Sequence, residues 1–116
     1  MYMKPKILSK DIEAEVIFLR PEDGGRKKPI FSGYRPTFIY DDHLWDASLW
    51  FEGEDSTSKG VPVKVFFDFV SPEAHVGKLV PGKTFELWDG RVIAKGCVLR
   101  IIDLEESARN ASEKSG

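Results

Sequence analysis

Apolar and polar residues alternate with a period of two over much of this chain. Along residues 12–19, Ile12, Ala14, Val16 and Phe18 fall on one side, with Glu13 and Glu15 on the other. That is the pattern of a half-buried β-strand. Val63, Val65, Phe67 and Phe69 repeat it, with Phe66 on the opposite face. Further strands are predicted over residues 35–40, 45–51, 84–88 and about 91–103. Pro36 belongs at the start of its strand or on an edge, because it has no N–H to give a ladder. Between the strands the chain changes character. Residues 20–29 hold Pro21, Pro29 and the pair Gly24-Gly25, which predicts an exposed loop. Residues 52–60 are polar with two glycines and read as a mobile loop. Ser71-Pro72 ends one strand, Val80-Pro81-Gly82-Lys83 forms a turn, and Asp89-Gly90 is a hairpin signal. No long segment carries the helical period of 3.6. Short strands separated by turn signals predict an all-β barrel or sandwich. Residues 104–116 are polar and Ser-rich, without an apolar face. The predicted organisation is an N-terminal extension over 1–10, one β domain over 11–104 and a disordered tail over 105–116.

The size agrees: 116 residues suit one domain. Apolar residues make up 41% and charged residues 31% of the chain, an ordinary globular mix. The balance of 17 basic and 19 acidic residues gives a net charge of −2. General nucleic-acid binders carry a basic excess that displaces phosphate counterions, so an RNA site here has to be a local patch. Cys97 is the lone cysteine and lies in the apolar run Cys97-Val98-Leu99. It reads as a small buried hydrophobe. No stretch approaches the length of a membrane span, and the first six residues are not followed by a signal-peptide core. The expected location is cytoplasmic, with no membrane association.

Candidate chemistry is sparse. The densest group of possible metal ligands is Asp41-Asp42-His43 followed by Asp46. Neighbours on a strand point to opposite faces, so Asp41 and Asp42 do not easily converge, and a solvated acidic turn is the better reading. Gly24-Gly25-Arg26 and Gly77-Lys78 lack the longer glycine-rich pattern of a phosphate loop. Neither His43 nor His75 sits in a metal or catalytic spacing. The expectation is a protein that binds without catalysis and needs no cofactor or metal. Aromatic residues are more suggestive. Trp45, Trp50 and Trp88 lie near predicted strand ends, where exposure would mark an interaction surface and burial would simply fill the core.

At the first loop a family resemblance enters. Glu13-Ala14-Glu15-Val16-Ile17-Phe18-Leu19, then Gly24-Gly25-Arg26, Pro29, Phe31, Gly33-Tyr34-Arg35-Pro36 and Phe38 resemble, in order and spacing, the start of the C-terminal domain of translation elongation factor Tu. Phe69-Val70-Ser71-Pro72, Gly90-Arg91 and Gly96 are similar to its later strands. The resemblance spans about residues 11–103. It implies a single antiparallel β-barrel of six strands that does no chemistry. In the family this domain packs on a GTPase domain, contacts aminoacyl-tRNA and meets the nucleotide-exchange factor. Gly24, Gly25 and Arg26 match the loop facing the GTPase domain, and Tyr34, Arg35 and Pro36 match as well. At tRNA-facing positions the chain departs: Thr37 replaces a Gln, Asp41 a basic residue, Ser71 an often basic one, and Trp88-Asp89-Gly90 the family's closing turn. Loss of cations there weakens attraction to phosphate.

Two binding functions follow. The first is a protein-interaction module, including a decoy or immunity-like protein tied to the translation machinery, with Gly24, Gly25, Arg26, Tyr34, Arg35, Trp45 and Trp88 as its contact residues. The second is an RNA (tRNA)-binding accessory module using Lys27, Lys28, Arg91 and Lys95, from a wider set with Lys59, Lys64, Lys78 and Lys83. A small enzyme built on Asp41, Asp42, His43 or His75 ranks last. Arg35 has a second, structural reading as an ion-pair residue across the barrel.

Overall fold

A computed structural model describes residues 9–53 and 59–115, with side chains through Ser112. The fold is the predicted one: a closed antiparallel barrel with strands in the order β1-β4-β3-β2-β5-β6. The strands are β1 (Ile12–Phe18), β2 (Thr37–Tyr40), β3 (His43–Phe51), β4 (Pro62–Phe69), β5 (Thr84–Trp88) and β6 (Val92–Ile101). Each lies within a residue or two of its predicted span. Closure leaves no unpaired strand edge, the usual route by which a sheet recruits further chains.

Alternation fills the interior. Ile12, Ala14, Val16 and Phe18 of β1 are all fully buried. At the centre Phe38 stacks on Phe85 with ring centroids 4.2 Å apart, and Phe67 and Phe69 meet Phe38 edge-on at 5.1 and 5.0 Å. Gly96 exists for this packing: a Cβ there would lie 2.3 Å from the Phe85 ring. Phe66 does face outward, as its parity predicts, yet it is only 5% exposed. Its flanking register partners are Glu13 and Trp50, and the Lys10 ammonium sits 4.5 Å from its ring centre. It is therefore a packed wall residue and not an exposed contact.

Antiparallel order sorts the connections onto two ends. One end, the loop end, carries the β1–β2, β3–β4 and β5–β6 connections. The other, the sealed end, carries the β2–β3 turn, the β4–β5 connection and the segments flanking the barrel. The β2–β3 turn is Asp41-Asp42, with φ of 49° and 62°. Two positive φ values between paired Tyr40 and His43 make a two-residue hairpin, which Asp tolerates better than most side chains.

The tail departs from expectation. A helix, α1 (Leu104–Ser115), stands where residues 105–116 read as disordered. It has almost no apolar face. Leu104 is buried, however, and the Ser107 hydroxyl donates to the Asp11 carboxylate at 2.5 Å. That carboxylate also accepts from the Ser9 hydroxyl at 2.7 Å and the Phe69 N–H at 2.8 Å. Glu105 and Glu106 occupy the first turn, where carboxylates suit the helix dipole. The helix packs on the 3₁₀ turn Pro72–Ala74. It is held by polar contacts with residues distant in sequence, which local periodicity does not register. Residues 1–8 of the expected extension and 54–58 of the expected mobile loop lie outside the described residues. Among the described residues no helix is long and apolar enough to cross a membrane.

Candidate functional site

The loop end gathers most of the singled-out residues. After β1 the chain turns through the 3₁₀ segment Pro21–Asp23 and closes at Gly24, whose φ of 96° is left-handed. Gly25 is then pressed under the preceding backbone: its N–H bonds the Arg20 carbonyl at 2.9 Å, and a Cβ would sit 1.9 Å from the Leu19 carbonyl oxygen. The two glycines thus answer separate needs, backbone conformation at 24 and space at 25. Arg26 leaves this turn aimed at Tyr34. The Tyr34 segment is itself tied to β3, with the Leu49 N–H donating to the Tyr34 carbonyl at 2.9 Å and the Gly33 N–H to the Leu49 carbonyl at 2.7 Å.

The Arg26 guanidinium lies 4.7 Å from the centre of the Tyr34 ring. Its Nη1 donates to the Tyr34 hydroxyl at 3.0 Å and to the Asp89 carboxylate at 2.7 Å. The Tyr34 hydroxyl also donates to Asp89. One guanidinium, one phenol and one carboxylate therefore fasten the first loop to the β5–β6 turn. Burial, reinforced by the hydrogen bond to Asp89, pushes the Tyr34 phenol up to about 12, against the opposing pull of Arg26. The phenol stays a donor at neutral pH. Lys59, from the β3–β4 connection, completes the end by donating to the carbonyls of Arg26 and of Lys28, the latter at 2.9 Å. Desolvation and then the Arg26 charge pull the Lys59 ammonium below its ordinary pKa.

Around this cluster lies a shallow depression of about 330 Å³, lined by Arg26, Lys27, Lys28, Asp89 and Arg91. Lys27, Lys28 and Arg91 are exposed and have no carboxylate partner among the described residues. Since Asp89 is engaged by Arg26 and Tyr34, the depression keeps a local excess of positive charge on an acidic chain. Trp88, immediately before Asp89, is 39% exposed, and Phe31 in the first loop is 56% exposed.

The remaining expected residues lie elsewhere. Arg35 is exposed and makes no ion pair among the described residues, so the ion-pair reading finds no partner there. Lys95 stands on the barrel wall, paired in register with Glu86, in a hollow shared with Asp41 and Asp42. Trp45 belongs to the sealed end and packs toward the core, its ring centroid 4.5 Å from that of His75. It is therefore not part of the loop-end surface. Lys64 faces Glu15 across β4 and β1, and Lys83 pairs with Asp41 at 2.6 Å.

The two histidines do not form a site together. His43 is exposed and bonds the Asp41 backbone carbonyl through Nδ1 at 2.8 Å. His75 is fully buried, its Nδ1 2.6 Å from the Tyr40 hydroxyl, while Nε2 has no partner among the described residues. Phe69 lies 4.3 Å away, ring to ring. Burial first, and the Lys78 charge second, push its pKa down to about 4, so at neutral pH it is an uncharged core ring. Among the described residues no three His, Cys, Asp or Glu side chains gather as a metal would need.

Sequence reading missed the role of Asp89, seen as a hairpin residue and as part of the altered closing turn Trp88-Asp89-Gly90, and the carbonyl clamp of Lys59. A carboxylate in a turn offers no local sign of which distant loop it will bind. The class that fold and surface define is a closed all-β barrel whose distinctive polar cluster lies on one end. No protein-family model matches the chain.

Proposed function

We propose that this chain is a non-catalytic RNA-binding module of the elongation factor Tu third-domain type, acting as an accessory of translation in the cytoplasm. The observation that carries the reading is the depression where Arg26, Lys27, Lys28 and Arg91 surround the single carboxylate of Asp89. Arg26 and Tyr34, first in line as protein contacts, are engaged in bonds that hold the loop end together. Lys27, Lys28 and Arg91 remain available for phosphate oxygens. With roughly three phosphates neutralised, raising salt from about 50 to 200 mM should weaken single-stranded RNA binding about 20-fold, from a log–log slope near −2. Titration of transfer RNA and of unstructured RNA at several salt concentrations tests this. A flat salt response, or no binding at the lowest salt, refutes the RNA reading.

A second reading, a protein-interaction or decoy module linked to translation, is favoured by exposed Phe31 and Trp88 beside the cluster, since aromatic and Arg side chains dominate protein hot spots. Co-elution with purified elongation factor or with a protein that recognises it, lost in a Trp88→Ala, Phe31→Ala double variant, would support it. Absence of co-elution at micromolar concentration would count against it.

A further inference from the structure

Each of the two loops that frame the depression carries cations that line it and one exposed aromatic ring just outside it. The first loop runs Arg26-Lys27-Lys28 and ends in Phe31; the β5–β6 turn runs Trp88-Asp89-Gly90-Arg91. The Arg26–Asp89 bond fixes these two strips side by side at 2.7 Å. Phe31 is coupled to the same frame, because its carbonyl accepts the Tyr34 N–H at 3.2 Å. Trp88 is held in its ladder between Thr37 and Val92, and shows an exposed ring without membership of the core. Trp45 and Trp50, by contrast, are half-buried, and each has its indole N–H buried.

We infer that the loop end takes unpaired nucleotides, with phosphates on Lys27, Lys28 and Arg91 and a base stacked on the Trp88 indole. The inference rests on the RNA reading above and narrows it to single-stranded segments. A duplex hides the faces of its bases inside the stack and offers only backbone and groove edges. An exposed indole beside a basic strip then gains nothing from a duplex, while an unstacked base presents a full face to it. The three cations of the depression that have no carboxylate partner among the described residues, Lys27, Lys28 and Arg91, lie on two adjoining loops and match one phosphate run. A duplex-binding surface instead reaches phosphates on both sides of a groove.

The test uses the full chain, a 12-nucleotide unstructured RNA and the same sequence annealed to its complement. Binding is read by polarisation of a labelled strand and by Trp emission. The single strand should bind about tenfold tighter than the duplex. Trp88→Ala should lose about tenfold for the single strand and leave duplex binding unchanged, the scale of one stacked base. Trp88→Phe should restore most of that loss, which separates a stacking role from a merely structural one. Lys27→Ala with Lys28→Ala should weaken both ligands and reduce the salt slope by about 1.4 for the single strand. Circular dichroism and melting confirm that each variant folds. Equal or tighter duplex binding, with Trp88→Ala neutral, overturns the stacking inference and leaves the RNA reading standing. Absence of binding to either ligand at low salt overturns both.

Discussion

The two ends of the barrel solve the same problem in opposite ways. Each must close a cylinder whose interior is apolar. At the sealed end closure is by burial: His75, Leu79 and Leu104 are capped by the turn Pro72–Ala74 and by α1, and the imidazole is kept neutral. At the loop end closure is by charge and hydrogen bonding: Arg26, Tyr34, Asp89 and Lys59 knit three connections together while staying partly wet. A dry cap is insensitive to salt and sensitive to acid. A polar cap responds to salt and leaves cations at the surface. This difference leaves Lys27, Lys28 and Arg91 exposed at the loop end together with the rings of Phe31 and Trp88, the surface on which the proposed RNA reading rests.

Breaking one end without the other should be possible, and the largest effect is expected at Gly25. Gly25→Ala drives a methyl group into the Leu19 carbonyl, an overpacking of backbone on backbone that we expect to cost about 3 kcal/mol. Urea unfolding measures the loss. Amide exchange should rise in residues 20–35 and stay slow around His75 and α1; uniform acceleration would mean that the ends are not independent.

The sealed end should yield to acid. His75 binds protons more readily unfolded, near pH 6.5, than folded, near 4. Stability from the neutral ring is present above about pH 6.5, is lost as pH falls through this window and is gone below about 4. The loss by pH 5 should be about 2 kcal/mol. His75→Phe, which keeps a ring and removes the titration, should flatten the decline between pH 7 and 5, as read from urea midpoints. An unchanged slope would assign the decline to carboxylates.

A smaller effect is expected from Ser107→Ala. It withdraws one donor from the buried Asp11 carboxylate and should cost about 1–2 kcal/mol. Helical circular dichroism should fall as α1 loosens, whereas RNA binding at the far end should be unchanged. Smallest of all is Asp89→Asn. Its ion pair with Arg26 is half in water, so less than about 1 kcal/mol should be lost. The sharper readout is Tyr34: the phenol should ionise at lower pH than in the parent and still above the ordinary value, because burial persists. Absorbance of tyrosinate during alkaline titration reports it.

What could be read in advance divides along the same line. Strands were legible because each carries its burial in alternate residues, as in Ile12, Ala14, Val16 and Phe18. The glycine pair was legible as a turn, though the crowding that demands Gly25 depends on Leu19 folding back over it. The cation group Lys27, Lys28 and Arg91 converged, whereas Lys95 did not, because its place on β6 sets it beside Glu86 and away from the loops. The burial of Phe66 and the helix α1 escaped prediction for a common reason. Each is covered or held by a neighbour far along the chain: Lys10 over Phe66, and Asp11 against Ser107. Periodicity reports which side of an element is apolar; it does not report what arrives to cover the other side.

The chain enters β1 and leaves β6 at one spot. Lys10 and Asp103 exchange backbone and side-chain hydrogen bonds, the Asp103 N–H reaching the Lys10 carbonyl at 3.0 Å. Such a module can be spliced into a surface loop of a host protein with both junctions on one side, like a bead hung from a double thread. A host chain joined at residues 10 and 103 would meet the barrel at its sealed end, opposite the loops that carry Lys27, Lys28 and Arg91.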